Sequence, residues 1–520
     1  MDKSPHESKR RQCNRRDFLV AAGLGVASLA GGYPARGEPA STPKPNEHPR
    51  PGRPNIIFLM DDQHRWDALG IVNPAVKTPN LDALARDGVF FDQTVCQAPM
   101  CIPSRNALMF GLYPNQVGVL RNGRGVPDTR LPATPLPEMF RRAGYQTAGF
   151  GKTHWGVPCR TRGFETRFAA ECLEIGAVMM KDDAPEAKKR YDAESKTMGG
   201  GEENNRGYVG FTSPLPEAEH RDGWVTGKCL EFIEKGIDPD RPLLLYLSFL
   251  KPHAGHNVPA GYESRYDLDA IRYAKQPPWK NDISPHALGV NRREMYIDYW
   301  SKATDRQWRL MTMRYRANCT WMDDMYGRAL KALERKGILD NALVIYCSDH
   351  GEMLGERFYR FNKYCLYESS VRVPMILSGS ALPAKLRGTT DHRPAELVDL
   401  YPTLLAAAGI PVPTRAVGLN LLGDKKRTAS FCALHERKKE AAFMWRTPAH
   451  KLILRMKRRP DDDASKYTRA DIIGGEFYDL AKDPQEWHDL YSDSANDDTT
   501  QQAMTAQLLE HLETVVKSDG

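Results

Sequence analysis

Apolar runs of strand length alternate with helical patterns along most of this 520-residue chain, and this alternation constrains the fold more than any other feature. Asn55–Met60, Leu243–Leu250 and Ala342–Ser348 are almost wholly apolar, as expected for strands that are buried on both faces of a sheet. Leu136–Ala143 and Met311–Lys336 have helical patterns. We therefore predict an α/β fold with a large, mostly parallel sheet and helices on both of its faces.

Polar pairs stand directly after two of these runs. Asp61 and Asp62 follow the first run, and Asp349 and His350 follow Ala342–Ser348. Alone, an Asp-Asp pair after a strand is more often a helix cap or a solvated loop, and an Asp-His-Gly sequence is usually a turn. In open α/β sheets, however, ligands bind beyond the carboxyl ends of the strands, so both pairs can converge on one cation. Hard carboxylate oxygens favour calcium or magnesium over zinc.

A short motif between these pairs carries the strongest chemical signal. Cys101-Ile-Pro-Ser-Arg105, with Gly111 further on, reads Cys-x-Pro-Ser-Arg-x5-Gly. It resembles the signature of the sulfatase family, in which the cysteine is oxidised after synthesis to formylglycine, an aldehyde. The hydrated aldehyde carries two hydroxyls on one carbon. One hydroxyl can attack the sulfur of a sulfate ester, and the other can later expel the sulfate and regenerate the aldehyde.

This resemblance implies a metal centre. Asp61, Asp62 and Asp349 match the metal carboxylates of the family, and His350 matches the fourth protein ligand. The modified Cys101 adds an oxygen. Many members of the family carry Asn where this chain has His350, although His is also found there. We expect one divalent cation, calcium in the first place and magnesium as the alternative.

Basic residues match the sulfate-binding elements of the same family. Lys152 and His154 match its Lys-x-His element, which implies that Lys152 contacts the hydrate and the sulfate and that His154 binds one hydroxyl of the hydrate. His253 matches a histidine that touches the sulfate, and Lys363 matches a second sulfate-binding lysine. Arg105, near the start of a predicted helix, is expected to hold the hydrate. Either histidine can be the proton donor to the leaving alcohol.

The pattern of the chain changes after about residue 425. His450–Met456 and Gly475–Leu480 are predicted strands, and 499–516 is a predicted helix. We expect a catalytic domain at 54–424 and a small antiparallel subdomain at 425–520. The resemblance covers roughly residues 53–491 and implies the alkaline-phosphatase-like fold that sulfatases share.

Two polar stretches with little periodicity, 176–222 and 255–309, are predicted to be insertions over the active-site face rather than part of the core. We expect them to determine the substrate, which by the resemblance is a sulfated small molecule or a sulfated glycan. Two rival functions remain open. One is a phosphonate monoester or phosphodiester hydrolase that uses the same fold and the same aldehyde. The other is a non-catalytic protein that binds sulfated glycans.

The first residues resemble an export signal. Asn14-Arg-Arg-Asp-Phe-Leu19 is similar to the twin-arginine motif, and a short Gly/Ala-rich run follows it. We predict a signal segment at 1–37, a linker at 38–53, and a bacterial enzyme exported to the periplasm or beyond by the twin-arginine machinery. The expected maturation partner is a formylglycine-generating enzyme or its anaerobic counterpart.

Charge and cysteine usage are consistent with this interpretation. The net charge is +7, but residues 1–37 carry seven Lys/Arg and three Asp/Glu, which leaves only +3 for the other residues. This balance argues against a nucleic-acid partner. The ten cysteines include no Cys-x-x-Cys pair, which disfavours a structural zinc site, and the sequence leaves any disulfide pairing open.

Overall fold

A computed structural model of the chain describes residues 52–171, 173–197, 208–278, 296–435, 440–457, 467–491 and 498–515. These residues belong to one compact unit, Pro45–Gly520. The predicted signal segment at 1–37 and most of the predicted linker lie outside the described residues. Among the described residues, no helix combines the length and the apolar character needed to cross a membrane.

The strands follow the apolar runs of the sequence. In chain order they are β1 (Asn55–Asp62), β2 (Val89–Phe91), β3 (Thr94–Val95), β4 (Gln146–Gly151), β5 (Cys159–Arg160), β6 (Thr166–Ala169), β7 (Glu174–Ile175), β8 (Val178–Met179), β9 (Thr212–Ser213), β10 (Leu243–Pro252), β11 (Val258–Pro259), β12 (Ala342–Ser348), β13 (Met375–Ser378), β14 (Thr389–Asp391), β15 (Ala395–Glu396), β16 (Ser430–His435), β17 (Glu440–Arg446), β18 (His450–Lys457) and β19 (Ile472–Asp479).

Nine of these strands form one large sheet in the order β14-β2-β13-β12-β1-β10-β4-β6-β8. Six of its eight strand pairs are parallel, and only the two pairs that involve β13 are antiparallel. At the centre, Phe58 of β1 pairs with Ile345 of β12 on one side and with Tyr246 of β10 on the other. The predicted mostly parallel sheet is therefore confirmed.

The main helices are α1 (Pro79–Asp87), α2 (Cys101–Phe110), α3 (Pro114–Val117), α4 (Leu136–Arg142), α5 (Met180–Asp183), α6 (Pro185–Thr197), α7 (Arg221–Lys235), α8 (Asp305–Arg335), α9 (Glu368–Val371), α10 (Leu400–Ala407) and α11 (Asp498–Thr514). They cover both faces of the large sheet. Because strand side chains alternate, Ile56 and Phe58 join a core with residues of α2, α4 and α10, whereas Ile57 and Leu59 join a second core with residues of α7 and α8.

The stretch at 176–222 is only in part an insertion. Val178–Met179 forms β8, the edge strand of the large sheet, where Phe168 of β6 pairs with Val178. Pro185–Thr197 then forms helix α6, although its sequence is mostly polar. The prediction missed both elements because a two-residue strand and a solvated helix leave little hydrophobic periodicity to recognise.

The C-terminal part forms a separate four-stranded antiparallel sheet in the order β16-β17-β18-β19. The predicted strands at His450–Met456 and Gly475–Leu480 are confirmed as β18 and β19, and the predicted last helix is α11. Residues of α11 pack on this sheet, where Leu508 and Leu512 are fully buried beside Phe431 and Leu452. The expected small antiparallel subdomain is therefore present.

Candidate active site

The carboxyl ends of four neighbouring strands, β12, β1, β10 and β4, carry most of the residues singled out by the sequence. Asp62 is the last residue of β1, Asp349 follows β12, Lys152 follows β4 and His253 follows β10. Cys101 is the first residue of helix α2, whose amino terminus favours negative charge at this position. The parallel arrangement of the strands is what brings these distant segments together.

Four buried residues form a group that can hold a metal ion. Asp62, Cys101, Asp349 and His350 each offer one ligand atom, and these atoms lie within 4.8 Å of one another. His350 Nε2 lies 3.1 Å from Cys101 Sγ, 3.6 Å from Asp349 Oδ1 and 3.7 Å from Asp62 Oδ1. Two carboxylates so close together repel each other unless a cation lies between them, so this donor set fits a divalent cation.

A hydrogen bond to the backbone orients the ring of His350 so that one of its nitrogens can bind a metal. Its Nδ1 donates a hydrogen bond to the carbonyl of Gly351 at 3.0 Å, which leaves the lone pair of Nε2 directed at the group. Burial lowers the pKa of His350 below its ordinary value, although Asp349 opposes this shift. The imidazole is therefore neutral, the form that binds a metal.

Asp61 does not join this group, in contrast to the sequence prediction. Its Oδ1 accepts a hydrogen bond from Tyr326 at 2.6 Å, and its Oδ2 accepts from Tyr346 at 2.9 Å and from His64 Nδ1 at 2.7 Å. Neighbouring residues in a strand point to opposite faces, and both acidic residues belong to β1. Only Asp62 therefore faces Cys101, and among the described residues the group that can hold a metal contains four of the five predicted ligands.

Arg105 lies one helical turn after Cys101 and is almost completely buried. Its Nε donates to Asp349 Oδ2 at 2.7 Å, and its Nη1 donates to the carbonyl of Lys152 at 2.8 Å and to Ser248 Oγ at 2.9 Å. The guanidinium therefore fixes Asp349 so that its other oxygen, Oδ1, faces the metal-binding group.

Lys152 contributes a buried cation. Its Nζ contacts Asp62 Oδ2 and lies 3.1 Å from Glu171 Oε2. Burial lowers the pKa of Lys152, but Asp62 and then Glu171 raise it well above its usual value, so that the ammonium stays charged. His154 has a left-handed backbone with φ of 54°, and its Nδ1 lies 3.4 Å from the same Glu171 oxygen.

His253 and Lys363 contact each other, and both lie close enough to Asp62 to lower its pKa. Lys363 Nζ donates to His253 Nε2 at 2.9 Å and to Gln63 Oε1. Burial, followed by the charge of Lys363, lowers the pKa of His253 well below its usual value. Burial raises the pKa of Asp62, but Lys152, then His253 and Lys363, hold it well below the ordinary value. The site thus combines carboxylates with cations that can receive an anion.

Two further residues, Gln63 and Glu171, contact this site and were not predicted from the sequence. Gln63 donates its backbone N–H to Asp349 Oδ1 at 3.0 Å, and its side chain bridges Lys363 and Glu352. Its position directly after Asp62 was the available signal. Glu171, by contrast, follows β6 outside any motif, and only the tertiary structure brings it to Lys152.

The chain belongs to the sulfatase family, whose sequence pattern it matches over residues 54–410. Residues 355–515 also match the pattern described as N-sulphoglucosamine sulphohydrolase, C-terminal. The protein is thus a hydrolase of the sulfatase class, as the sequence predicted.

Individual relatives agree with this assignment. The chain is 28% identical over 459 residues to a sulfatase of Formosa agariphila, and the match covers 84% of this chain and 82% of the relative. It is 29% identical to the ulvan-active sulfatase of the same organism, with 71% of this chain and 65% of the relative covered. The phosphonate monoester hydrolase of Agrobacterium radiobacter has the same fold, with a TM-score of 0.70 at 23% identity over 89% of this chain and 96% of that one.

Proposed function

We propose that this protein hydrolyses sulfate monoesters with a nucleophile derived from Cys101, which is oxidised to formylglycine and hydrated. One hydroxyl on residue 101 forms a bond to sulfur while the ester S–O bond breaks and the alcohol leaves with a proton. The second hydroxyl then loses its proton, sulfate is expelled and the aldehyde is restored. The observation that carries this proposal is the group of Cys101, Asp62, Asp349 and His350 around one point.

The proposed cation is calcium, with magnesium as the alternative, held by Asp62, Asp349, His350 and residue 101. When bound, it lowers the pKa of the attacking hydroxyl and neutralises sulfate oxygens. Carboxylate-rich ligands support a hard cation. Metal analysis of the purified protein tests this assignment, which stoichiometric zinc without calcium or magnesium would contradict.

In this proposal, Lys152, His253 and Lys363 hold the sulfate, and Arg105 acts through Asp349. The buried ammonium groups support this role because preorganised cations in a water-poor site stabilise developing negative charge strongly. A histidine, His154 or His253, supplies the proton to the leaving alcohol.

The proposed substrate class is a sulfated glycan or a smaller sugar sulfate. The support is the similarity to a relative named for its action on ulvan, while the similarity in fold to a phosphonate monoester hydrolase keeps that reaction as a second candidate. Turnover of matched aryl sulfate and aryl phosphodiester substrates separates the two reactions, and a screen of defined sulfated oligosaccharides identifies the glycan.

The state of residue 101 is the direct test. Mass spectrometry of the peptide that contains position 101 is expected to find the aldehyde, and a folded Cys101→Ala variant is expected to have no turnover. An unmodified thiol in the native protein would instead support a non-catalytic binding protein, and near-wild-type activity of Cys101→Ala would contradict the mechanism.

We further propose that Cys101 is oxidised in the cytoplasm before the protein folds and is exported by the twin-arginine route. Cys101 is only 2% exposed, so a maturation enzyme cannot reach it in the folded chain. An Arg15→Lys/Arg16→Lys variant, trapped in the cytoplasm, is expected to carry formylglycine at position 101. Thiol in the trapped pool together with aldehyde in the exported pool would overturn this order.

A further inference from the structure

Glu171 brings a third carboxylate to the anion-binding side of the site. It lies two residues after β6, and its Oε2 lies 3.1 Å from Lys152 Nζ and 3.4 Å from His154 Nδ1. Its side chain is 24% exposed, whereas that of Asp62, which contacts the same ammonium, is fully buried. Glu171 is therefore more accessible to solvent than Asp62, and it lies beside two residues that are proposed to meet the substrate.

This carboxylate is ionised. Burial raises the pKa of Glu171, but Lys152 and then His154 lower it below its usual value. At neutral pH the side chain thus contributes a full negative charge next to the cation of Lys152.

Glu171 is not part of the group that can hold a metal, whereas Asp62 and Asp349 are. A bound cation would therefore offset the charges of Asp62 and Asp349 but not the charge of Glu171. An anion on the far side of the Lys152 ammonium would lie about 6 Å from the Glu171 carboxylate. Because Glu171 is partly exposed, an effective dielectric constant of about 40 applies, between the values for a protein surface and for water, and each added negative charge at that distance then weakens binding by about tenfold.

We propose that Glu171 selects the charge of the substrate, favouring tetrahedral groups with one negative charge, such as a sulfate monoester, over the dianion of a phosphate monoester. A monoanion is still attracted by Lys152, Lys363 and the cation, whereas the second charge of a dianion is opposed by Glu171. This inference rests on the proposed function of the site and narrows it to monoanionic esters.

The test compares a sulfate and a phosphate monoester of the same phenol at pH 8, where the phosphate is a dianion because its second pKa is about 6. Glu171→Gln removes the charge and is expected to raise the ratio of kcat/KM for phosphate to kcat/KM for sulfate by about tenfold. Glu171→Asp keeps the charge and is expected to stay closer to the wild-type ratio. The matched control is Glu165→Gln, at the opposite end of β6, where the carboxylate pairs with Arg241.

A binding measurement gives a reading that does not depend on turnover. Calcium-loaded Cys101→Ala protein is titrated with inorganic phosphate at pH 8 in a calorimeter, with and without Glu171→Gln. The neutral variant is expected to bind phosphate about tenfold more tightly. If Glu171→Gln does not fold, as judged by its thermal midpoint, Glu171→Ser replaces it.

An unchanged phosphate-to-sulfate ratio together with unchanged phosphate affinity would overturn the proposal. An equal fall of both activities would also overturn it, because it would mean that Glu171 only positions Lys152. Failure of the wild-type protein to hydrolyse any sulfate ester would contradict the proposed function instead, while the phosphate titration would still report on Glu171.

Discussion

Asp61 and Asp62 are chemically identical neighbours that the structure uses in different ways. Asp62 faces the metal-binding group, whereas Asp61 is buried under it and accepts hydrogen bonds from Tyr326, Tyr346 and His64. The other ring nitrogen of His64 lies 2.8 Å from the carbonyl of Ala68, so both nitrogens face acceptors and the ring is an imidazolium. Asp61 is thus the counter-charge of a buried cation.

This difference gives a prediction at the level of single residues. Asp62→Asn is expected to lose both activity and bound metal. Asp61→Asn is expected to keep its metal but to lower the free energy of unfolding by about 3–5 kcal/mol, because it leaves His64 as an unpaired buried charge. Metal content and denaturant titration measure the two effects, and loss of metal from Asp61→Asn as complete as from Asp62→Asn would return Asp61 to the ligand set.

Removal of the cation has a related consequence. Without it, Asp62 and Asp349 repel each other, so a chelator is expected to abolish activity and to lower the thermal midpoint together. Added calcium should restore both quantities. A chelated protein that keeps its full activity would show that no cation takes part.

Helix α2 is the element that presents Cys101, and its end explains the glycine of the Cys-x-Pro-Ser-Arg-x5-Gly motif. Gly111 terminates the helix in a left-handed conformation with φ of 66°, and its N–H bonds to the carbonyl of Leu108. A Cβ at this position would meet the ring of Tyr401 at 2.6 Å. The motif glycine is therefore needed for the helix end and the packing on α10, rather than for contact with a substrate.

Gly111→Ala is accordingly expected to lower the free energy of unfolding by about 2–4 kcal/mol, from the left-handed strain and the overpacking together. Gly118→Ala is the matched control, since Gly118 also ends a short helix with φ of 75° but has open space where a Cβ would lie. It should cost only about 1–2 kcal/mol. Equal losses for the two variants, measured by denaturant titration, would contradict the role assigned to Tyr401.

At the scale of the whole molecule, buried charges connect the C-terminal sheet to the active-site region. Glu368 of α9 binds Arg446 of β17 and Lys451 of β18, each at 2.8 Å, and Lys451 also binds Glu486 at 2.6 Å. Two residues on, the carbonyl of Ser370 accepts the N–H of Gly351, next to His350. The C-terminal sheet therefore supports the segment that carries two of the proposed metal ligands, Asp349 and His350.

Glu368→Gln is expected to destabilise the protein by about 3–5 kcal/mol at pH 7, because Arg446 stays buried without its carboxylate partner and Lys451 loses one of its two, keeping Glu486. Burial raises the pKa of Glu368, but Arg446 and Lys451 hold it well below the usual value. A carboxyl group whose pKa is lower in the folded than in the unfolded protein stabilises the fold at pH values above the unfolded pKa. This stabilisation is lost as the pH falls below that value, so the difference in stability between the variant and the wild type should shrink from about pH 4.5 downward. Denaturant titrations from pH 7 to pH 3.5 test this, and a difference that does not change with pH would contradict the charged role.

The sequence alone determined the elements that local chemistry decides. Apolar runs of six to eight residues are typical of buried strands, so β1, β10 and β12 were predicted, and a motif as specific as Cys101-x-Pro-Ser-Arg105 identified the family. Even here one signal went unused: Thr304 and Gln307 form a capping box, which starts helix α8 at Asp305 rather than at the predicted Met311.

Only the tertiary structure decided which of two adjacent aspartates joins the group that can hold a metal, because that depends on the face of β1 that meets Cys101 and on the tyrosines that donate to Asp61 on the other face. Glu171 reaches Lys152 for a similar reason, since β4 and β6 are paired while their residues are distant in sequence. Local patterns determine strands and helices through backbone and burial preferences. The charge balance of a site depends on side chains that meet across strands, and no pattern along the chain records those contacts.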